Sequence, residues 1–206
     1  MARSLADLEL VNAALGSARQ LARRVRQGTP GGPPATVLDV GAGSGGVSRR
    51  LAAVLKREGV EATVIATDLQ WRHLAVGRSQ AGGRELSSAA ADVFSLPFAA
   101  RSVDWVVSTL LVHHFSPEEN VRLLRELARV ARRGLFLLDL RRHRLPLLFI
   151  SLAGRVAFQS RISVTDGAAS VRQAYTLEEA GAFAARALPG ARVETVFPFR
   201  LLISHP

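Results

Sequence analysis

The sequence predicts an α/β fold: a seven-stranded, mostly parallel sheet with helices on both faces and an antiparallel terminal strand. Three observations lead there. Short apolar runs alternate with stretches of helical spacing from Thr36 onward, the pattern of parallel strands joined by crossover helices. The first run meets its helix through a glycine-rich turn, in VLDVGAGSGGVSRRL from Val37 to Leu51. Asp39, Asp68 and Asp92 fall at successive strand ends, so they line the carboxyl edge of one sheet, where open α/β folds bind ligands.

In chain order, Ser4 and Asp7 precede an apolar spacing of Leu5, Leu8, Val11 and Leu15 that suits a capped amphipathic helix. Gly16 allows a bend, and Leu21 and Val25 continue a helical stripe among Arg19, Arg23, Arg24 and Arg26. The glycines and prolines between Gln27 and Ala35 make a loop. Strands are expected over Thr36–Val40, Ala62–Thr67, Glu85–Ala91, Val103–Thr109, Gly134–Leu140, Val193–Pro198 and Arg200–Ser204. Helices are expected over Val47–Glu58, Trp71–Ser79, Pro117–Ala131 and Leu177–Ala187. The last two strands, joined through Pro198, are close enough to form a hairpin, and 206 residues suit one domain.

The glycine-rich turn is suited to a ligand. Gly41, Gly43 and Gly45 lack a Cβ and let the backbone approach a guest closely, while the helix starting near Gly46 aims its free N–H groups at the same place. Gly41-Ala42-Gly43-Ser44-Gly45-Gly46 also satisfies G-x-G-x-x-G, so a dinucleotide-dependent oxidoreductase is one reading. Asp39 separates the two readings. An acid two residues before the first glycine suits a cofactor with a cationic amino group and a sulfonium better than a pyrophosphate.

The pattern D-x-G-x-G-x-G resembles the class I S-adenosylmethionine-dependent methyltransferases, whose sheet is Rossmann-like, and the resemblance spans roughly Thr36 to Leu140. It implies S-adenosylmethionine as cofactor, with Asp39, Gly41, Ala42, Gly43 and Gly45 at the loop and Ser108 at the end of the fourth strand. Asp68, with Leu69 after it, lies about 20 residues beyond the loop, where an acid can accept both ribose hydroxyls of either cofactor. Ala91-Asp92-Val93, followed by Leu96-Pro97-Phe98, resembles the family motif whose acid meets the adenine amino group. A turn or helix-capping role is the alternative for both acids.

The reacting groups follow the fourth strand in Leu110–Phe115, LLVHHF, ahead of a helix at Ser116-Pro117. With RELARVARRG further on, this segment looks like the natural-product and quinone-type small-molecule methyltransferases. Methyl transfer from a sulfonium is an in-line displacement in which positioning supplies much of the help. A phenol with pKa near 10 also gains from a base titrating near 6.5. His113 and His114 are the candidate bases; adjacent side chains diverge, so one is expected to reach the acceptor and the other to be structural. Asp139, ending the fifth strand, either orients a histidine, holds substrate, or pairs with Arg141 or Arg142. No carboxylate cluster suggests a metal.

The net charge of +10 invites a nucleic-acid reading. Almost all of it is arginine spread along the chain, without the interleaved aromatics of a stacking platform. The absence of cysteine excludes disulfides and is compatible with a reducing compartment. The richest apolar run, Leu145–Phe158, is interrupted by Pro146 and Arg155, short of the ~18–20 residues that span a bilayer, and no signal peptide opens the sequence. The expectation is a soluble cytoplasmic protein.

Residues 141–176 read as an insertion that selects the acceptor, apolar from Leu145 to Leu152 and favouring a hydrophobic, aromatic or long-chained molecule. Its arginine-rich flanks leave peripheral membrane contact open. The expected organisation is a helical lid over 1–27, a cofactor core over 36–140, the insertion, and a C-terminal helix and hairpin over 177–206. The expected function is O-methylation of a small, largely apolar acceptor bearing a phenolic or polyketide-type hydroxyl. The alternatives are an RNA methyltransferase and a non-catalytic S-adenosylmethionine-binding module.

Overall fold

The computed structural model describes residues 2–31, 34–80, 86–143, 167 and 169–206; the apolar part of the 141–176 insertion lies outside them. Two helices, α1 (Ala2–Ala14) and α2 (Ser17–Gln27), precede β1 (Ala35–Val40), α3 (Gly46–Arg57), β2 (Ala62–Asp68), α4 (Trp71–Gln80) and β3 (Ser87–Ala90). Then follow β4 (Val103–Thr109), a 3-10 turn (Val112–His114), α5 (Pro117–Val130), β5 (Ala131–Leu140), α6 (Leu177–Ala187), β6 (Arg192–Val196) and β7 (Arg200–His205). The sheet order is β3-β2-β1-β4-β5-β7-β6, parallel through β5, with β7 antiparallel to both β5 and β6.

This is the predicted architecture, and its layers follow from strand alternation. Leu38, Val40, Val106, Leu135, Leu137, Leu201 and Ile203 pack on the face covered by α5 and α6. Val37, Val64, Trp105, Val107, Leu138 and Leu202 face α2 and α3. Both faces are apolar, as a sheet covered on two sides requires. At the start of α5, Ser116 and Glu119 form a capping box with Pro117 in the first turn, so these three residues start the helix that backs the 112–114 turn.

Several boundaries differ from the expected ones. Helix α1 already runs from Ala2, so Ser4 lies within it and is not its cap. The third strand narrows to Ser87–Ala90. The fifth begins at Ala131, straight from α5, because Arg132 and Arg133 pair with Asp104 of β4 and extend the ladder. The bend at Gly16, with φ of 65°, separates α1 from α2 as its sequence suggested.

Two glycines in helix interiors have opposite surroundings. A Cβ on Gly77 would lie 1.8 Å from the Ser44 carbonyl, which brings α4 against the glycine-rich loop, whereas one on Gly181 meets nothing within 4 Å. Gly181→Ala should stabilise the protein by about 0.5–1 kcal/mol through helix propensity. Gly77→Ala should destabilise it, with urea denaturation midpoints moving in opposite directions for the two.

Candidate active site

The glycine-rich loop leaves β1 at Gly41, whose φ is 66° and whose missing Cβ leaves room for Leu111; a Cβ there would stand 2.8 Å from Leu111 Cδ1. Ala42 N donates to Thr67 O at 2.9 Å and Gly43 N to Asp68 Oδ2 at 2.8 Å, so the end of β2 holds the loop. Asp68 Oδ1 accepts from Gln70 N at 2.8 Å and lies 3.3 Å from His73 Nδ1 on α4. Each oxygen of this carboxylate has a second lone pair for a hydroxyl. Leu69 is 65 % exposed beside it.

Asp39 lies beneath the loop, 1 % exposed, and accepts from Ser48 Oγ at 2.5 Å. Burial raises its pKa to about 7, with Ser48 opposing and the nearby Asp68 charge adding to the rise. Asp92 is exposed at the end of the third strand and accepts from Phe94 N at 2.9 Å, while Val93 beside it is buried. Gly45, with φ of 74°, caps α3, as the loop pattern required.

Ser108 is buried and donates to Val40 O at 2.8 Å, so its hydroxyl joins β4 to β1.

The strongest arrangement joins the 112–114 turn to β5. His113 is buried, and its Nδ1 lies 2.6 Å from Asp139 Oδ1, while its backbone N donates to Asp139 Oδ2 at 3.1 Å. An ionised carboxylate only accepts, so Nδ1 bears the proton and Nε2 keeps its lone pair. Asp139 is paired with His113, while Arg142 pairs with Glu179. His114 is exposed and its ring lies against that of His113, with centroids 4.1 Å apart and planes tilted by 40°. Desolvation of its covered side, then His113, lowers its pKa below 6.5, with Asp139 opposing.

Several residues here went unread in the sequence. Glu9 of α1 accepts from Ser44 Oγ and pairs with Arg49 at 3.1 Å, and its carboxyl occupies the space a Cβ on Gly46 would need. His73 is a second case, beside Asp68. Asn120 is a third, and it alone left a signal: a polar residue in helical phase with Leu124 and Leu127, now wholly buried.

Between pH 3.8 and about 7 the folded protein keeps a proton on Asp39 that the unfolded chain releases. That group's contribution to stability is therefore complete below the first value and lost as pH rises through the second. Asp39→Asn removes the titration. The stability difference, variant minus native, should grow in the variant's favour between pH 4 and 8, by up to ~4 kcal/mol. Urea titrations at several pH values check this.

Comparison with known proteins places this geometry in context. The family model described as "Methyltransferase domain" matches residues 37–134, which run from β1 into β5. Uncharacterized proteins of Mycobacterium bovis and Mycobacterium tuberculosis are 43 % identical over 98 residues, 48 % of this chain and 34 % of theirs. The chain thus aligns with about a third of the length of these curated relatives. A S-adenosylmethionine-dependent methyltransferase from Aquifex aeolicus superposes with a TM-score of 0.58 at 22 % identity, covering 82 % of this chain and 80 % of that one. A chain of the Haloferax volcanii complex containing the Trm112 methyltransferase activator gives 0.63 at 17 %, covering 98 % and 92 %. The citrinin polyketide synthase CMeT domain gives 0.61 at 18 %, covering 85 % and 47 %. Residues 37–134 therefore match the methyltransferase-domain family, and the described chain has the class I methyltransferase fold, with its seven-stranded sheet and antiparallel terminal strands.

Proposed function

We propose that the chain transfers a methyl group from S-adenosylmethionine to a hydroxyl of a small, largely apolar acceptor of phenolic or polyketide type. The His113–Asp139 pair carries the reading, because it presents an oriented base at the same sheet edge as the glycine-rich loop.

The donor set fits that cofactor. Asp68 accepts from the loop at Gly43, Asp39 accepts from Ser48 of α3, Asp92 follows the neighbouring β3, and the Glu9 carboxyl stands at the amino end of α3. Acids there suit an ammonium, a sulfonium and a ribose diol, whereas a pyrophosphate would meet the Glu9 charge where a dinucleotide fold offers it a bare helix end. On this reading Asp68 would hold the ribose, Asp92 and Val93 the adenine, and the backbone from Gly41 to Gly45 the amino-acid part, with Asp39 supporting the start of α3 through Ser48.

When bound, S-adenosylmethionine supplies an electrophilic methyl group. His113 Nε2 accepts the acceptor's hydroxyl proton as the oxygen becomes nucleophilic, and Asp139 holds the Nδ1–H and stabilises the imidazolium. His114 lies against the ring of His113, and burial and the neighbouring His113 lower its pKa. Helix α1, tied to the loop through Glu9, serves as the lid. Residues 141–176 choose the acceptor.

Calorimetric titration with S-adenosylhomocysteine, with NADH in parallel, tests the cofactor. Micromolar binding of the first and none of the second is expected; binding of NADH alone would overturn the proposal. Asp68→Ala should weaken S-adenosylhomocysteine about a hundredfold. With labelled donor and a panel of phenols, set against RNA as acceptor, His113→Gln should lower turnover ~10²–10⁴-fold and leave S-adenosylhomocysteine affinity nearly unchanged. His114→Gln should cost far less.

A further inference from the structure

The turn that presents His113 is short and poorly held by its own backbone. It has three residues, with two 3.2 Å bonds from His114 N to Leu111 O and from Phe115 N to Val112 O, and Leu110 ahead of it has a positive φ of 58°. Two side chains outside the turn supply what it lacks. Asn120 Nδ2 donates to Val112 O and Phe115 O, each at 3.1 Å, and so spans the turn from its first residue to the one after its last. Tyr175 Oη donates to Phe115 O and lies 3.3 Å from Asn120 Nδ2.

Stability alone does not explain Asn120. It is wholly buried in the apolar stripe of α5, and its Oδ1 has no partner among the described residues. An orphaned buried carbonyl is unfavourable, and leucine in that phase would avoid it. What asparagine provides and leucine does not is a pair of donors aimed at the turn.

Tyr175 adds a second anchor. Its backbone bridges to β5, with Arg142 N donating to Tyr175 O at 3.0 Å, and its ring packs edge-on against Phe183 of α6 at 5.1 Å. Burial raises the pKa of its phenol, which keeps the hydroxyl a donor.

We propose that Asn120 and Tyr175 are positioning residues that hold the 112–114 turn so that the His113 ring meets Asp139. The proposal rests on the reading of His113 as the proton acceptor. The side-chain hydrogen bonds of both residues go to each other and to the backbone that bears the ring, through which they act.

The test is the tautomer of His113, read by long-range proton–nitrogen NMR of the imidazoles in the full chain and assigned with His113→Gln. The native protein should show His113 protonated at Nδ1. In Tyr175→Phe, which removes one oxygen and keeps the ring against Phe183, the Nδ1–H to Nε2–H ratio should fall about fivefold, the size of one net hydrogen bond. Asn120→Ala should lower it further. A purely structural role would lower the melting temperature of both variants and leave the tautomer as it was, and that result in folded Tyr175→Phe overturns the proposal. Calorimetry with S-adenosylhomocysteine on the same samples separates the two claims. Failure of the native protein to bind counts against the methyltransferase reading, whereas an unmoved tautomer counts against the positioning role.

Discussion

Much of this site depends on one carboxylate held dry between a strand end and a turn. Asp139 is 4 % exposed and accepts from Leu140 N at 2.6 Å, from His113 N at 3.1 Å and from the His113 ring at 2.6 Å. A buried carboxylate survives only with such partners, and charge-assisted bonds of this kind are the stronger class. A buried cation stands nearby as well. Arg200 is 1 % exposed, and burial lowers its pKa to about 10 while Asp139 opposes the fall. Its guanidinium donates to Leu15 O at 2.8 Å and Ser17 Oγ at 2.7 Å, and Ser17 donates on to Asn12. The acid that aims the histidine and the corner between α1 and α2 thus belong to one buried polar set.

Helix α1 is tied at its other end to the glycine-rich loop. Glu9 meets Ser44 and Arg49, and Arg50 donates to Glu9 O at 2.9 Å. Arg49 also donates to Ser44 O at 2.7 Å, so a single arginine links α3, the loop and α1. The helix therefore rests on the sheet edge at two places, at the glycine-rich loop through Glu9 and at β7 through the Arg200 corner. Leu10 on α1 is 52 % exposed, and these polar ties help to fix the helix in place.

The arginine excess that first suggested nucleic acid is largely engaged in the fold. Arg129 donates to Leu96 O and Phe98 O and pairs with Glu126, which accepts from Leu96 N; together they hold the stretch after Asp92 and Val93. Arg24 pairs with Glu194, Arg26 with Glu58, and Arg132 and Arg133 with Asp104. Exposed pairs of this sort are worth about 0–1 kcal/mol each, so they shape local structure more than they stabilise it. No helix among the described residues is long and apolar enough to cross a membrane.

Strand and helix periods, the glycine-rich turn and the placement of Asp39, Asp68 and Asp92 were legible because each is a local pattern. Alternating strand and helix segments admit few topologies once crossovers are right-handed. The terminal hairpin was legible for the same reason, two strands with one short connection. Asn120 could have been found as a polar residue in an apolar phase. Glu9, Arg200 and the structural part of Ser108 could not, because their partners lie 35, 183 and 68 residues away, and nothing in a neighbouring residue records such a contact. The sequence by itself determined that two histidines and one acid would stand at the carboxyl edge of the sheet. Only the tertiary structure shows that His113, and not His114, meets Asp139, because that pairing is a 2.6 Å hydrogen bond across 26 residues, from a turn to the strand that packs beside it.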